Sequence, residues 1–158
     1  MYGDLLQREF EQLRQEIIAL YDAKGMRASG RFERESKVEI NEVSTFVTSA
    51  TLSGPSYAEQ LEYGRRGGRY PNIESIKDWI LVKGVFDQAI EDIGLNSLAF
   101  LIARKISNFG WDRQQYGGVE LVSSVVTPER IQKIIDKVGT IAIAEFTSSL
   151  DLKSFNNN

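Results

Sequence analysis

The chain switches its hydrophobic period near residue 37, and that switch limits the folds open to it more than any other feature. Across residues 3–24, Leu6, Phe10, Leu13, Ile17 and Tyr21 recur at spacings of four and three. On an α-helix this spacing stacks their side chains on one face. Glu9, Glu11, Arg14, Gln15 and Glu16 are expected away from that face, and Gly25 is a natural stop. From Lys37 the sequence KVEINEV alternates instead, with Val38 and Ile40 on one side and Glu39 and Asn41 on the other. A period of two marks a half-buried strand. TFVTSATLSG at 45–54 repeats it with Phe46, Thr48, Ala50 and Leu52 on one face, so the two runs form a β-hairpin turning near Asn41–Ser44. A first helix with a long apolar stripe needs a partner surface, and a sheet supplies one.

Downstream the pattern is mostly helical. Residues 25–35 lack periodicity and are expected as a loop, while Tyr57, Ala58 and Leu61 share the face of a short helical turn. Asn72 as N-cap and Glu74 in the first turn open a helix whose buried stripe is Ile73, Ile76, Trp79 and Ile80, closed by Lys83 and Gly84. A short helix at 85–94 turns Phe86, Ile90 and Ile93 inward. A longer one, capped at Asn96 or Ser97 and ended by Gly110, has Leu98, Leu101, Ile102, Ile106 and Phe109 as its core face. YGGVELVSSVV at 116–126 reads as a strand. Thr127 and Pro128 then open a last helix, carried by Ile131, Ile134, Ile135, Val138, Ala142 and Phe146 to Ser149. This order predicts an α+β fold: a small antiparallel β-sheet with a long β-hairpin, packed on one face by several α-helices. Residues 1–150 form a single domain and 151–158 a flexible C-terminal tail.

Composition narrows the chemistry. The 158 residues include no cysteine and no histidine. Disulfides, Cys/His zinc sites, Ser-His-Asp and Cys-His triads and any histidine base are thereby excluded. Carboxylates, Lys, Tyr, Ser and Thr remain. A net charge of −3 and a pI near 5.1 argue against a protein that wraps DNA or coats an anionic membrane. The start, MYGDLLQREFEQLRQE, lacks the basic and apolar regions of a signal peptide. Apolar runs such as LAFLIA at 98–103 are too short to span a bilayer, so a soluble, intracellular chain is expected.

The segment GRRGGRYP at 64–71 is the first candidate for function. It lacks the Lys and hydroxyl of a phosphate-binding P-loop, and Tyr70 and Pro71 separate it from the next helix, so the dinucleotide fingerprint is missing too. What remains is a mobile loop bearing Arg65, Arg66 and Arg69. Its favoured use is as a solvated loop or one pairing with a neighbouring subunit, ahead of a contact with DNA. Asp87, Glu91 and Asp92 are close enough to hold a divalent ion or exchange a proton. Acids so spaced are more often a wet helix face, and no catalytic residue, metal site or cofactor is expected. Of the scattered aromatics Tyr57, Tyr63, Tyr70, Trp79, Trp111 and Tyr116, none sits on a basic sheet face suited to stacking bases. Tyr63 and Tyr70, flanking the arginines, are expected as interface anchors.

The run YAEQLEYGRRGGRYPNIESIKDWILVKGV, followed by SLAFLIARKISNFGW, resembles the tail-completion, or head–tail joining (neck), proteins of tailed double-stranded-DNA bacteriophages. Residues 57–84 and 98–111 carry the likeness. The N-terminal helix and the hairpin also lie where that family has them, whereas residues 127–158 depart from its pattern through a longer last helix. The resemblance implies a non-enzymatic virion protein, assembled in the bacterial host cytoplasm into a homo-oligomeric ring of 6 or 12 copies. Its partners would be other copies of itself, portal, adaptor or tail ring proteins, and the genomic DNA passing through the lumen, with no membrane and no cofactor. Arg65, Arg66 and Arg69 would then touch the DNA channel or an adjoining ring. The alternative is a small double-stranded-DNA-binding protein using the same arginines.

Overall fold

The structure is a computed structural model that describes residues 2–44, 47–84, 92–111 and 118–155. These residues form six helices and one two-stranded antiparallel sheet, an α+β fold. Helix α1 (Tyr2–Ala23) buries Leu5, Leu13, Ile17, Ile18 and Tyr21, and lies against both strands of the hairpin. Leu6 and Phe10 of its expected stripe are only half-buried. Gly25, at φ 67, ends the helix as expected, with the Met26 N–H donating back to the Tyr21 carbonyl.

Strand β1 (Lys37–Ser44) pairs with β2 (Val47–Ser53), setting Val38 opposite Leu52 and Ile40 opposite Ala50. The alternation holds, since Thr48, Ala50 and Leu52 are half-buried between exposed neighbours. The turn is not where it was expected. Pairing runs through an irregularity between Glu42 and Ser44 and continues to Ser44 opposite Val47. Phe46, assigned to the inner face from the sequence, lies outside the described residues.

The stretch 25–35 is not all loop. Arg31–Glu35 forms a short helix, α2, entered through Gly30 at φ 69. No period can announce so short an element. Its cause is tertiary: Phe32 is 3% exposed and stacks on Tyr21 with ring centroids 4.4 Å apart. Helix α3 (Ala58–Tyr63) buries Leu61 in the same cluster, where half-buried Tyr57 and Ala58 also pack. Fully buried Leu121 completes it.

Leu121 does not belong to a strand. Residues 118–126 form no strand but an irregular stretch with turns at 121–125, which corrects the β assignment for 116–126 within the part described. Gly118 at φ 83 and Glu120 at φ 48 break any extended run. The backbone amides go elsewhere: Val119 and Glu120 donate to the carbonyls of Leu61 and Glu62, and Val122 and Ser123 donate to the Glu62 carboxylate at 2.6 and 3.1 Å. Glu62 is buried, so its charge is answered by backbone N–H groups in place of water.

Helix α4 (Ile73–Lys83) begins as expected, the Asn72 side chain accepting from the Ser75 N–H at 3.2 Å, and ends at Gly84 with φ 64. Helix α5 (Leu95–Phe109) packs on it, starting after Gly94 rather than at an Asn96 or Ser97 cap. The contact is made by Ile76 and Ile80 of α4 against Ala99 and Ala103 of α5, with Ile73, Leu98, Ile102 and Ile106 half-buried around them. Trp79, Leu101 and Phe109, all assigned to the core from the sequence, are 43%, 49% and 74% exposed. The reason is geometric: alanines at i and i+4 let the helix axes come close, and the bulkier side chains are turned outward. Ile93 is likewise exposed, while Phe86 and Ile90 lie outside the described residues.

Helix α6 (Pro128–Phe155) runs past Ser149, so the backbone of 151–155 continues the helix where a tail was expected. The Thr127 hydroxyl caps it by accepting from the Arg130 N–H at 3.2 Å. Two ion pairs join α6 to α1: Arg130 with Glu16 at 3.0 Å and Lys137 with Glu9 at 2.5 Å. Residue numbers rise along α6 as they fall along α1, so the helices are antiparallel. Glu9, expected on the wet side of α1, is therefore buried beside a lysine.

Candidate interface surfaces

The arginine loop is built by α5. Gly64 leaves α3 at φ 80, and the chain then folds back over the last turn of α5, where several backbone carbonyls have no helical partner. The Gly68 N–H donates to the Ser107 carbonyl at 2.6 Å, and the Trp111 N–H donates to the Arg65 carbonyl at 2.8 Å. Glycine is required at position 110, and space is tight at position 67. A Cβ on Gly110 would sit 2.2 Å from the Arg65 carbonyl oxygen, and one on Gly67 3.0 Å from those of Ser107 and Asn108. The loop expected to be mobile is thus hydrogen-bonded to a helix end, with Gly67 serving close approach and Gly64 and Gly68 taking positive φ of 80 and 108.

That anchoring presents the arginines. Arg66 and Arg69 are exposed and Arg65 half-buried, its Nη2 donating to the Arg69 carbonyl at 3.3 Å. Arg104 lies one turn before the docking point and is exposed as well. Among the described residues, none of Arg65, Arg66, Arg69 and Arg104 has a carboxylate within ion-pairing distance. Elsewhere the chain pairs its arginines freely: Arg14 with Glu11, Arg31 with Glu35, and Arg27 with both Asp22 and Glu33. In an acidic chain a group of guanidinium groups without a carboxylate partner among the described residues is a local reversal of sign.

Tyr63 and Tyr70 flank this group and are 67% and 51% exposed. Tyr70 stacks on Phe100 of α5 at 6.3 Å between centroids, while the Tyr63 ring has no stacking partner among the described residues. The structure puts Arg65, Arg66, Arg69 and Tyr70 on this loop and Tyr63 at the end of α3 beside it. The sequence missed Phe100, Arg104 and the docking of the loop on α5, because nothing local links residue 68 to residue 107.

The second feature is a set of exposed apolar side chains on α4 and α5. Trp79, Leu81 and Val82 of α4 and Phe100, Leu101 and Phe109 of α5 are all 43% exposed or more. A third lies along α6. Leu6, Phe10, Thr48, Ala50, Ile135 and Val138 line an open trough of about 400 Å³ between α1, β2 and α6. Beyond it Ile143, Phe146 and Leu150 stand exposed.

The acids singled out in the sequence are divided. Asp87 and Glu91 lie outside the described residues, and Asp92 is exposed. Among the described residues no three acidic side chains come together as a metal site, and no helix is long and apolar enough to cross a membrane. Compared with family models, with curated proteins and with solved structures, the chain matches none.

Proposed function

We propose that this chain is a structural subunit of the head–tail connector of a tailed double-stranded-DNA bacteriophage, acting as a homo-oligomeric ring between portal or adaptor and tail. The observation that carries the reading is the large apolar side chains left on α4, α5 and α6. Large apolar side chains left exposed in this way favour a role in protein–protein contact. In a ring, one subunit's patch meets a different patch on the next, so a single chain must expose more than one. The arginine loop then faces the channel or an adjoining ring, where phosphate or carboxylate answers its charge. A net charge of −3 suits a lumen through which DNA slides without being held.

The test is localisation in the particle together with function. Subunits replaced at Arg65, Arg66 and Arg69 by serine should give virions that assemble poorly or leak genome. Normal, infectious particles carrying the triple replacement would remove the loop from this role, and a chain absent from virions would remove the whole reading. The exposed arginines favour one alternative, a free double-stranded-DNA-binding protein. Three phosphate contacts would give a log–log salt slope of about −2.7, measurable by gel shift. A flat salt response excludes it.

A further inference from the structure

The surface of α6 reads the same from either end. Gly139 and Ala142 flank its midpoint, and Val138 and Ile143 lie next to them. Further out come Ile135 and Phe146, then Ile131 and Leu150, at equal distances from the centre. Small residues thus occupy the middle and large ones both arms. Ile135, Ile143, Phe146 and Leu150 are 56%, 69%, 54% and 51% exposed. Gly139 has open space in front of it, with nothing within 4 Å of where a Cβ would be.

We propose that two copies of this chain pair through α6, antiparallel about a twofold axis at Gly139–Ala142. Phe146 and Leu150 of each copy then enter the trough of the other, beside its Ile131 and Ile135. A twofold interface sets one patch against itself, so it requires a pattern symmetric about its centre. An unrelated partner imposes no such symmetry. The small residues at the crossing let the axes approach closely while the large ones fill the troughs on either side.

The area agrees. Four side chains at about 100 Å² each, with the trough lining, give roughly 400–500 Å² of apolar surface per copy. A standard interface takes roughly 800 Å² per partner, of which about 60% is apolar. Access agrees as well. With Lys137 beside Glu9, Ala144 draws level with Tyr2, and the rest of α6 extends past the start of α1. The pairing does not depend on the connector reading, since it describes the free chain.

The absence of cysteine makes the test specific. Light scattering of the purified chain at about 100 μM should give twice the 17.8 kDa chain mass. An oxidised mixture of Ile135→Cys chains with Phe146→Cys chains should yield several-fold more disulfide dimer than either alone. Phe146→Asp with Leu150→Asp should give a monomer of unchanged helical circular dichroism; if that variant unfolds, the cysteine mixture decides. A monomeric wild type, preferential self-crosslinking of Phe146→Cys, or larger rings that lack the mixed crosslink would each overturn the pairing. The last of these outcomes would leave the connector reading standing.

Discussion

The cluster around Phe32 is closed by bulk, whereas the contact between α4 and α5 is closed by alanine. In the first, Tyr21, Phe32, Leu61 and Leu121 come from four separate segments, and the Glu62 carboxylate ties the last of these down through backbone amides. In the second, Ala99 and Ala103 bring two neighbouring helices together, and the large side chains that could have filled a core point out. The difference teaches where each region spends its apolar groups. One region uses them inside and is finished as a monomer. The other leaves several of its largest exposed.

The comparison predicts a graded response to mutation. Phe32→Ala empties the centre of the first cluster and should cost about 3–5 kcal/mol, read from denaturant midpoints. A loss under 1 kcal/mol would mean the aromatic stack is peripheral. Glu62→Ala strands the Val122 and Ser123 amides and should cost about 1.5–3 kcal/mol, with Glu62→Gln costing less because its amide oxygen still accepts. Equal losses would show that the bonds to the carboxylate matter little. Ala103→Leu pushes α4 and α5 apart and should destabilise by about 1–3 kcal/mol. Trp79→Ser and Phe109→Ser, on the outer side of the same helices, should change monomer stability by no more than about 0.5 kcal/mol. If the outer pair proves the more damaging, the assignment of inner and outer faces is wrong.

The smallest effect concerns pH. Burial, reinforced by the Tyr21 phenol and opposed by Arg31, pushes the Tyr57 hydroxyl above its ordinary value of 10.0. Folding thus favours the neutral phenol. That contribution is complete below pH 10 and is lost as pH rises toward the folded value. Wild type and Tyr57→Phe should therefore diverge in melting temperature only at alkaline pH; parallel curves throughout would place Tyr57 in water.

Legibility followed the range of the interactions. The α1 stripe, the alternation of the strands, the Asn72 and Thr127 caps and the stops at Gly25, Gly84 and Gly110 are all written within a few residues of where they act. Helix α2, the irregular stretch at 118–126 and the burial of Glu9 are not. Each depends on a partner far along the chain: Tyr21 for Phe32, Glu62 for Val122, Lys137 for Glu9. The candidate loop shows both cases at once, because its arginines and tyrosines could be named from the sequence but its attachment to Ser107 and Trp111 could not.

By itself the sequence determined the α1 and hairpin periods, the Asn72 and Thr127 caps and the chemistry ruled out by having no histidine or cysteine, since these depend on side-chain type and local spacing. Only the tertiary structure decided which face of each amphipathic helix is covered. Leu101 and Phe109 satisfy a helical period as well as Ala99 and Ala103 do, and the choice between them rests on how closely α4 can approach. Close packing selected the small residues for the inside and left the large ones on the surface.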